Sequence, residues 1–485
     1  MGHRPDELGL RGNRNVSDRL EVPKELLARY ATSAPRYTSY PTAVDWEKDP
    51  GRAFQPETYG DRLRAAAEAR SDEPISLYTH VPYCAELCLF CGCNVQISRS
   101  DERRERYLKA VDDELTFLEG TGIQARPVQQ FHWGGGTPTS LTLPQLERLF
   151  TSIMSRFKFT KNAEVSIEVD PRVTSHEQVE LLCKLGFGRI SMGIQDFQSD
   201  VQKAIKRVQS EEQTRALIDA SRAAGMSSVN VDLIYGLPHQ TRASFAETVG
   251  KTIDIRPERV ALFHYAHVPW MKSHQNAMDS SAMPGAEEKL DIFADSIAAF
   301  SQAGYVYLGL DHFALPGDEL SLAAENGTLH RNFMGYTTQR GREMVSIGVS
   351  SIGEIDGTYV QNIANEPEYV KLSEERGYAT YRGHTMSEED RLRRDVILEL
   401  MCNGRIDKRR IERDHGVEFD ETFATELAEL GPMATDGLVT LGADLIELTN
   451  IGQVLMRNVA VPFDRYMRER KSRGDSTKDT FSKTL

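Results

Sequence analysis

Between residues 75 and 265 the chain alternates short apolar runs with longer amphipathic segments, and this alternation restricts the fold more than any other feature. The short runs are typical of buried strands, and the segments 105–119, 143–157 and 241–255 have the spacing of helices. The predicted strands are 75–81, 128–133, 164–169, 189–193, 228–234 and 259–265. Strands that alternate with helices form parallel βαβ units, so we expect a six-unit α/β barrel or partial barrel with its chemistry at the carboxyl ends of the strands. A doubly wound open sheet has the same periodicity and stays open as an alternative.

The pattern is different on both sides of this region. Residues 1–30 are polar without periodicity, and residues 385–485 predict helices, short strands and a hairpin at 438–448, as in a winged-helix module. We therefore expect an N-terminal arm and packing segment at 1–70, the barrel with an extension at 71–380, and a smaller C-terminal helical domain and tail at 381–485.

Charge and composition narrow the function classes. The formal net charge of −14 argues against broad nucleic-acid binding. No apolar run reaches the ~18 residues of a membrane-spanning helix, and the N-terminus lacks an export signal. Four of the six cysteines lie between positions 84 and 93, which favours a metal site in a reducing compartment over a disulfide scaffold. We expect a cytoplasmic protein without membrane or nucleic-acid partners, and the acidic surface is compatible with a monomer.

The cysteines lie in the run HVPYCAELCLFCGCN. Cys84, Cys88 and Cys91 have C-x3-C-x2-C spacing, and Cys93 follows two residues later. Thiolates this close together in one loop can converge on an iron–sulfur cluster. A zinc site is the alternative, but structural zinc usually takes two cysteine pairs separated by a longer stretch.

Polar and glycine residues recur at the predicted strand ends. Glycines 134–136 follow the second strand, Glu168 ends the third, Gln195 follows the fourth and Asp232 ends the fifth, while Arg207 is expected on the helix between the last two. Glycine is needed where the backbone approaches a ligand closely, and carboxyl strand ends share one barrel mouth. The recurrence favours a single shared site.

A cysteine triplet after a strand resembles the radical S-adenosylmethionine (SAM) superfamily. Eight ordered segments make the chain similar to one family within it, the oxygen-independent coproporphyrinogen III oxidases, over about residues 30–470. The segments are PRYTSYPTA at 35–43, SLYTHVPYCAELCLFCGCN at 76–94, HWGGGTPT at 132–139, SIEVDPR at 166–172, SMGIQDF at 191–197, DLIYGLP at 232–238, DHFA at 311–314 and HRNFMGYTT at 330–338.

This resemblance implies a (β/α)6 partial barrel that binds a [4Fe–4S] cluster and two SAM molecules. By position, Cys84, Cys88 and Cys91 hold the cluster, and Cys93 lies near it without binding. The residues implied for the cluster-bound SAM are Tyr78, Phe90, Gly135, Glu168 and Ile352. Those implied for the second SAM are Gly136, Thr137, Gln195, Arg207, Asp232 and Ala266.

The implied reaction converts two propionate side chains of coproporphyrinogen III to vinyl groups, giving protoporphyrinogen IX, by way of a 5′-deoxyadenosyl radical. It requires an electron donor such as flavodoxin or ferredoxin and an acceptor that the sequence does not identify. Phe333 and Met334 border the substrate, and Met334 departs from the glutamine of well-known members, as 351–354 departs from their small apolar pattern. Arg36 and Arg331 are candidate partners for the substrate carboxylates, with surface arginines as the alternative.

Three other functions are weighed against this one. A related haem chaperone typically lacks the Cys91–Gly92–Cys93 extension and the segment at 35–42, and this chain has both. A haem-degrading radical-SAM methyltransferase would share the barrel and differ in its product. A zinc-bearing regulator would bind DNA through residues 385–450, although acidic residues dilute the basic charge there.

Overall fold

The computed structural model describes residues 23–30, 32–46, 54–339, 341, 343–474 and 480–481, so the first part of the predicted N-terminal arm lies outside the described residues. Its strands are β1 Ile75–Val81, β2 Tyr83–Cys84, β3 Gln96–Ile97, β4 Pro127–Gly135, β5 Lys158–Val169, β6 Arg189–Gln195, β7 Ser228–Tyr235, β8 Arg259–His264, β9 Val306–Gly309, β10 His312–Ala314, β11 His330–Asn332, β12 Gly335–Thr337, β13 Met344–Ile347, β14 Ile352–Ile355, β15 Thr358–Asn362, β16 Thr380–Thr385, β17 Arg405–Asp407, β18 Val439–Leu441 and β19 Leu445–Leu448. Its α-helices are α1 Lys24–Tyr30, α2 Tyr59–Ala69, α3 Asp101–Glu119, α4 Leu143–Met154, α5 His176–Leu185, α6 Ser199–Ala204, α7 Glu211–Ala224, α8 Arg242–Ile255, α9 Ala286–Gln302, α10 Glu319–Glu325, α11 Glu366–Arg376, α12 Glu388–Asn403, α13 Lys408–His415, α14 Phe419–Thr422, α15 Ala424–Thr435, α16 Asn450–Val454, α17 Met456–Ala460 and α18 Arg465–Arg473.

The main sheet confirms the partial barrel. Its 12 strands run in the order β16-β15-β14-β13-β1-β4-β5-β6-β7-β8-β10-β9, and the stretch from β13 to β8 is parallel. From β1 to β8 each barrel strand pairs with the next one along the chain, without the reversal of order that defines a doubly wound sheet. Antiparallel strands extend both edges, and β16 and β9 stand at opposite ends of the order, so the sheet is an open barrel.

Alternation along the strands builds the core and the site together. In β1 the fully buried Leu77 packs into the apolar core, while its neighbour Tyr78 faces the other side of the sheet. The crossover helices begin at side-chain caps, for example Ser175 before α5 and Ser210 before α7, each with a glutamine that completes a capping box. The apolar face of each helix covers the outside of the barrel, which leaves the carboxyl strand ends free to carry polar groups.

The C-terminal part has a core of its own. The small sheet β17-β19-β18 contains the predicted hairpin, and α12 to α18 surround it. Tyr30, Tyr37 and Tyr40 of the N-terminal segment belong to the same apolar cluster. The domain limits at 70 and 380 remain a prediction. Within the described ranges, no helix is both long and apolar enough to cross a membrane.

Candidate functional site

The cysteine loop leaves β1 through Pro82 and is held in place by backbone contacts on both sides. Leu89 N donates to Ile205 O at 3.0 Å, and Ser98 N donates to Cys84 O at 3.2 Å. Cys88 is buried, whereas Cys84 is half-buried. The loop is therefore fixed to the segment after α6 as well as to the barrel.

A segment that follows β8 clamps the same loop from the other side. His274 Nε2 lies 2.8 Å from Cys91 O, and Lys272 Nζ donates to Cys93 O at 3.0 Å. Gln275 Nε2 donates to Phe90 O at 3.1 Å and also to the carbonyl of Ala266 at 3.3 Å. Phe90 and Ala266, both implied for SAM by resemblance, are thus joined through one glutamine side chain.

Two arginines approach the buried cysteine. Arg172 Nη2 lies 3.4 Å and Arg207 Nη1 lies 3.7 Å from Cys88 Sγ, and both guanidinium groups also bind Asp170. Burial raises the pKa of Asp170, but Arg207 and Arg172 outweigh it and lower that pKa overall. The prediction that Arg207 lies on a helix is wrong, because α6 ends at Ala204 and Arg207 follows the turn at 205–206, in a segment without regular secondary structure. That turn lets the guanidinium reach back to Cys88.

Glu168 stands at the centre of the barrel mouth. Its carboxylate accepts from Gly135 N at 3.1 Å and lies 3.5 Å from His132 Nε2. The His132 ring stacks on Tyr78 with centroids 6.0 Å apart, and the Tyr78 hydroxyl lies 3.0 Å from His80 Nδ1. Burial alone would raise the pKa of Glu168. The hydrogen bond and the charge of His132 outweigh burial, so the pKa is lowered overall. The structure therefore keeps an ionised carboxylate at this strand end.

The pKa of Asp232 is shifted in the opposite direction to that of Glu168. Burial and the nearby charge of Glu168 raise its pKa to about 7, against the effect of Asn230, whose amide donates to it at 2.8 Å. Asp232 lies within β7, three residues before its last residue rather than at its end. Two carboxyl groups in one mouth thus titrate in different pH ranges, which is common where ligands are bound.

Gln195 and Arg207 carry polar atoms without a partner inside the protein. Gln195 Oε1 and Arg207 Nε are buried, and neither has a hydrogen-bond partner among the described residues. Gln195 also adopts φ +68°, a left-handed conformation that is uncommon for glutamine. Buried polar groups are usually paired, so these two atoms fit a polar ligand that the protein alone does not supply.

The glycine run brings β4 against the cysteine loop. Gly135 has φ +115°, and a β-carbon there would lie 2.7 Å from the His80 ring. A β-carbon at Gly136 would lie 2.5 Å from the carbonyl oxygen of Pro82. Thr137 then comes within 3.5 Å of Cys84 Sγ. These glycines are required by close backbone packing at the loop, and a ligand would use the space that results.

The thiolates fit a cluster better than a single ion. One zinc ion needs all its sulfur ligands at about 2.3 Å, whereas a cluster distributes its thiolates over several irons. The two arginines near Cys88 would offset the negative charge of a metal group held by thiolates.

The proposed substrate side lies beside an aromatic group from three parts of the chain. Phe333 packs edge-on against Trp46 at 6.4 Å and Tyr359 at 5.7 Å, and Ile352 joins the same cluster. Met334 is partly exposed, and its backbone N–H donates to Asn332 Oδ1 at 2.8 Å.

The charged residues near this cluster differ in whether they have a partner among the described residues. Arg36 forms an ion pair with Asp311 and lies over the Phe263 ring. Arg331 is 4% exposed, and its Nε and Nη1 have no partner among the described residues. Glu354 is paired with Arg394 of α12 through two 2.6 Å contacts, so its departure from the family pattern has a local cause.

Several residues that contribute to the site were not predicted from the sequence. Asp170 and Arg172 stand inside a recognised segment, and their position just after β5 was the available signal. His80 and His132 share the inward face with Tyr78, a relation that strand alternation would have indicated. Trp46 gave no local signal, because its contact with Phe333 joins distant parts of the chain.

Comparisons with known proteins agree with this geometry. The sequence model of the Radical SAM superfamily matches residues 78–251, and that of the HemN C-terminal domain matches residues 386–455. The oxygen-independent coproporphyrinogen III oxidase of Salmonella typhimurium is 43% identical over 446 residues, which cover 92% of this chain and 95% of that protein. The oxidase of the same name from Synechocystis is 42% identical over 455 residues, covering 93% and 96%. The solved structure of the coproporphyrinogen III oxidase HemN from Escherichia coli, a radical SAM enzyme, aligns with a TM-score of 0.86 at 39% identity, covering 93% of this chain and 100% of that one.

Proposed function

The chain belongs to the oxygen-independent coproporphyrinogen III oxidases, and from that premise we propose how its own residues carry out the reaction. The protein is a radical-SAM oxidoreductase that converts two propionate side chains of coproporphyrinogen III to vinyl groups, giving protoporphyrinogen IX without oxygen. The observation that carries the assignment of residues is that the cysteine loop, Glu168 and Asp232 meet at one barrel mouth.

Cys84, Cys88 and Cys91 are proposed to hold the [4Fe–4S] cluster. When bound, the cluster and SAM supply the one-electron chemistry that removes hydrogen from a propionate carbon. Arg172 and Arg207 offset the negative charge at Cys88, because their guanidinium groups lie within 3.7 Å of its sulfur. Cys93 is proposed to stay outside the cluster, since three thiolates leave one iron for SAM.

The polar groups of the mouth are proposed to bind two SAM molecules. Glu168 is ionised and fixed by His132, so it can accept hydrogen bonds from an ammonium or ribose group. The unpartnered Gln195 Oε1 and the carboxyl of Asp232 are available to the second molecule. Phe90, in the clamped loop, provides an aromatic surface for an adenine ring.

Substrate is proposed to bind beside Phe333, under cover of the N-terminal and C-terminal segments. Trp46 packs on Phe333, and the same N-terminal segment is tied to the C-terminal core by Tyr37, whose hydroxyl donates to Asp464 at 3.1 Å. This cover would exclude water from the reacting groups. Arg331 is the better partner for a propionate carboxylate, because its Nε and Nη1 have no hydrogen-bond partner among the described residues, whereas Arg36 forms an ion pair with Asp311. Met334 borders the same space without the hydrogen bonds of an amide.

The decisive experiment follows both products under anaerobic conditions. The reconstituted enzyme, given dithionite, SAM and coproporphyrinogen III, is expected to form 5′-deoxyadenosine together with protoporphyrinogen IX. Cys88→Ala should abolish both products. Cys183→Ser is the matched control, because Cys183 lies on α5 and its thiol only donates to Ala224 O at 2.7 Å. Deoxyadenosine without the vinyl product would retain the cofactor assignment and reject the substrate.

Partners and location are also proposals. Since the reaction consumes an electron and later releases one, we expect a separate donor, such as flavodoxin or ferredoxin, and a separate acceptor. A cluster held by free thiols suits the reducing cytoplasm. DNA binding is not favoured, because basic residues of α13 are engaged with acidic ones, for example Lys408 with Asp420 at 2.7 Å and Arg410 with Glu399 at 3.0 Å.

A further inference from the structure

We propose that a basic cleft on the outer side of the cysteine loop is the docking site for a small acidic one-electron carrier protein that reduces the cluster. This inference rests on the proposed function, because only a cluster-bearing enzyme needs electrons at this loop. The cleft has a volume of about 600 Å³. Its floor is formed by Cys84, Thr137, Asp170 and Arg172.

The position of the cleft suits electron entry. The same loop that places Cys84 in its floor is clamped on the other side by the segment that follows β8. The barrel mouth, with Glu168, is where SAM and substrate are proposed to bind, under the N-terminal and C-terminal segments. A protein donor therefore cannot use the mouth while substrate is bound, whereas the cleft is lined both by Cys84 and by exposed residues such as Lys203. Thr137, which is implied for the second SAM, is the residue that the cleft shares with the SAM site.

The charge of the cleft is opposite to that of the chain. Arg99, Arg172, Lys203 and Lys206 line it together with Glu86 and Asp170, a balance of +2 among the lining residues in a chain of −14. Arg99 pairs with Glu86 at 3.5 Å and Lys203 with the neighbouring Asp200 at 3.3 Å, but both pairs are exposed, where such contacts are weak and open to a partner's carboxylates. Asp170 is bound by Arg172 and Arg207, so its charge is already offset. A basic patch of this kind attracts an acidic partner and raises its rate of encounter.

The rim has the mixed character of a transient interface. The side chains of Arg99 and Lys203 are 74% and 65% exposed. Between the charged groups, Val208 is 66% and Val173 is 41% exposed, which is high for apolar side chains. Electron-transfer complexes bury small areas and depend on charge for orientation, so a small apolar centre inside a basic rim is sufficient.

The floor gives a short path from the donor to the cluster ligands. Cys84 and Arg172 both belong to this floor, and Arg172 Nη2 lies 3.4 Å from Cys88 Sγ. In the proposed step the reduced donor loses one electron and the oxidised cluster gains it. No bond in the protein forms or breaks.

A second charged cleft serves as an internal comparison. It has a volume of about 690 Å³ and lies at the amino ends of the strands, near Arg189 and Arg259. Three arginines line it together with four carboxylates (Glu164, Glu258, Asp318 and Glu319), a local balance of −1, and no cysteine lines it. It therefore offers neither spare positive charge nor access to the cluster.

The test compares a protein donor with a chemical one. The holoenzyme carrying Lys203→Glu and Lys206→Glu is assayed for 5′-deoxyadenosine with a reduced acidic flavodoxin and, separately, with dithionite, which needs no docking. We expect the KM for flavodoxin to rise about tenfold or more and its salt dependence to weaken, because two attractive charges are reversed. Dithionite-driven formation of deoxyadenosine and protoporphyrinogen IX should not change.

The control is Lys371→Glu, an exposed charge reversal on α11 outside the cleft lining, where the side chain is 69% exposed. A zero-length carbodiimide cross-link between flavodoxin carboxylates and Lys203 or Lys206, located by mass spectrometry, gives a readout that does not depend on turnover. An unchanged KM for flavodoxin, or cross-links only at other lysines, would overturn the docking proposal. Loss of the dithionite-driven reaction in the double variant would overturn it too, since the lysines would then belong to the site itself. If the unaltered enzyme forms no vinyl product with dithionite, the proposed function fails instead.

Discussion

Replacing Asp232 by asparagine should stabilise the SAM-free protein at high pH and weaken SAM binding at the same time. The folded-state pKa of Asp232 is raised from 3.8 to about 7 by burial and by the charge of Glu168. The folded state therefore binds a proton more tightly than the unfolded state between these two values. The free energy of unfolding falls as pH rises through that window, and the loss is complete above pH 7.

The expected change in the free energy of unfolding follows from the pKa shift of Asp232. Three pKa units at 1.36 kcal/mol each amount to about 4 kcal/mol, and the partial opening of the side chain to the mouth reduces this to about 2–4 kcal/mol. Asparagine keeps an oxygen that can accept the hydrogen bond from Asn230 and carries no charge. With an unfolding entropy of about 2.1 cal/mol/K per residue, a chain of 485 residues gains roughly 1 °C in Tm per kcal/mol.

The assay is thermal unfolding of the SAM-free protein at pH 5, 6, 7 and 8. Asp232→Asn should raise the Tm by about 2–4 °C at pH 8 and by much less at pH 5. Asp219→Asn, the same substitution at an exposed position on α7, is the matched control. Equilibrium binding should show weaker SAM affinity in the same Asp232 variant. A Tm gain that is equal at all four pH values would refute the electrostatic reasoning, because it would not follow the titration of Asp232.

Three further predictions concern Arg172 beside Cys88, Met334 at the substrate border and Arg394, the partner of Glu354. Arg172→Gln removes a positive charge 3.4 Å from Cys88 Sγ and should lower the midpoint potential of the cluster by roughly 30–60 mV in a redox titration. Met334→Gln restores an amide at the substrate border and should lower the KM for coproporphyrinogen III, while the apparent affinity for SAM stays constant. Arg394→Ala leaves Glu354 as an unpaired, mostly buried carboxylate and should lower the Tm by about 3 °C, whereas Lys371→Ala, on an exposed site, should change it by less than about 1 °C.

The barrel strands were predictable because each contains a short apolar run whose alternate residues are buried in the core. Strand β1 matches its predicted bounds, and the other five begin and end within about two residues of the prediction, except β5, which begins at Lys158 instead of 164. The added residues of β5, KFTKNA, are mostly polar and none is fully buried, so they carry no apolar run even though Phe159 packs against the core. The edge strands β14 to β16 were missed for a related reason. They are short, and their pairing with β13 and with one another is not visible in local periodicity.

The candidate site was predictable where it depends on strand ends and not where it depends on long-range contacts. Glu168 and Gln195 end strands β5 and β6, and parallel strands bring their carboxyl ends to one mouth. The contact of Arg172 with Cys88 spans 84 positions and depends on the shape of two loops. Likewise, no sequence pattern shows that Asp311 engages Arg36 or that Arg394 engages Glu354. The sequence shows where each arginine lies along the chain, but only the folded structure shows which carboxylate it pairs with.

The cysteine loop separates two electrostatic environments, and this separation explains why so many charged groups are buried near it. On the inner side, Glu168 is ionised and Asp232 carries a raised pKa, an arrangement that costs stability until positively charged or hydroxylated ligands arrive. On the outer side, Arg172 brings positive charge to Cys88 and the lysines of the cleft extend that charge to the surface. Negative charge inside suits the sulfonium and ammonium groups of SAM, and positive charge outside suits an anionic cluster and an acidic donor. Reversing the charge on either side would place like charges together, so we expect such a change to weaken SAM binding on the inner side and donor docking on the outer side.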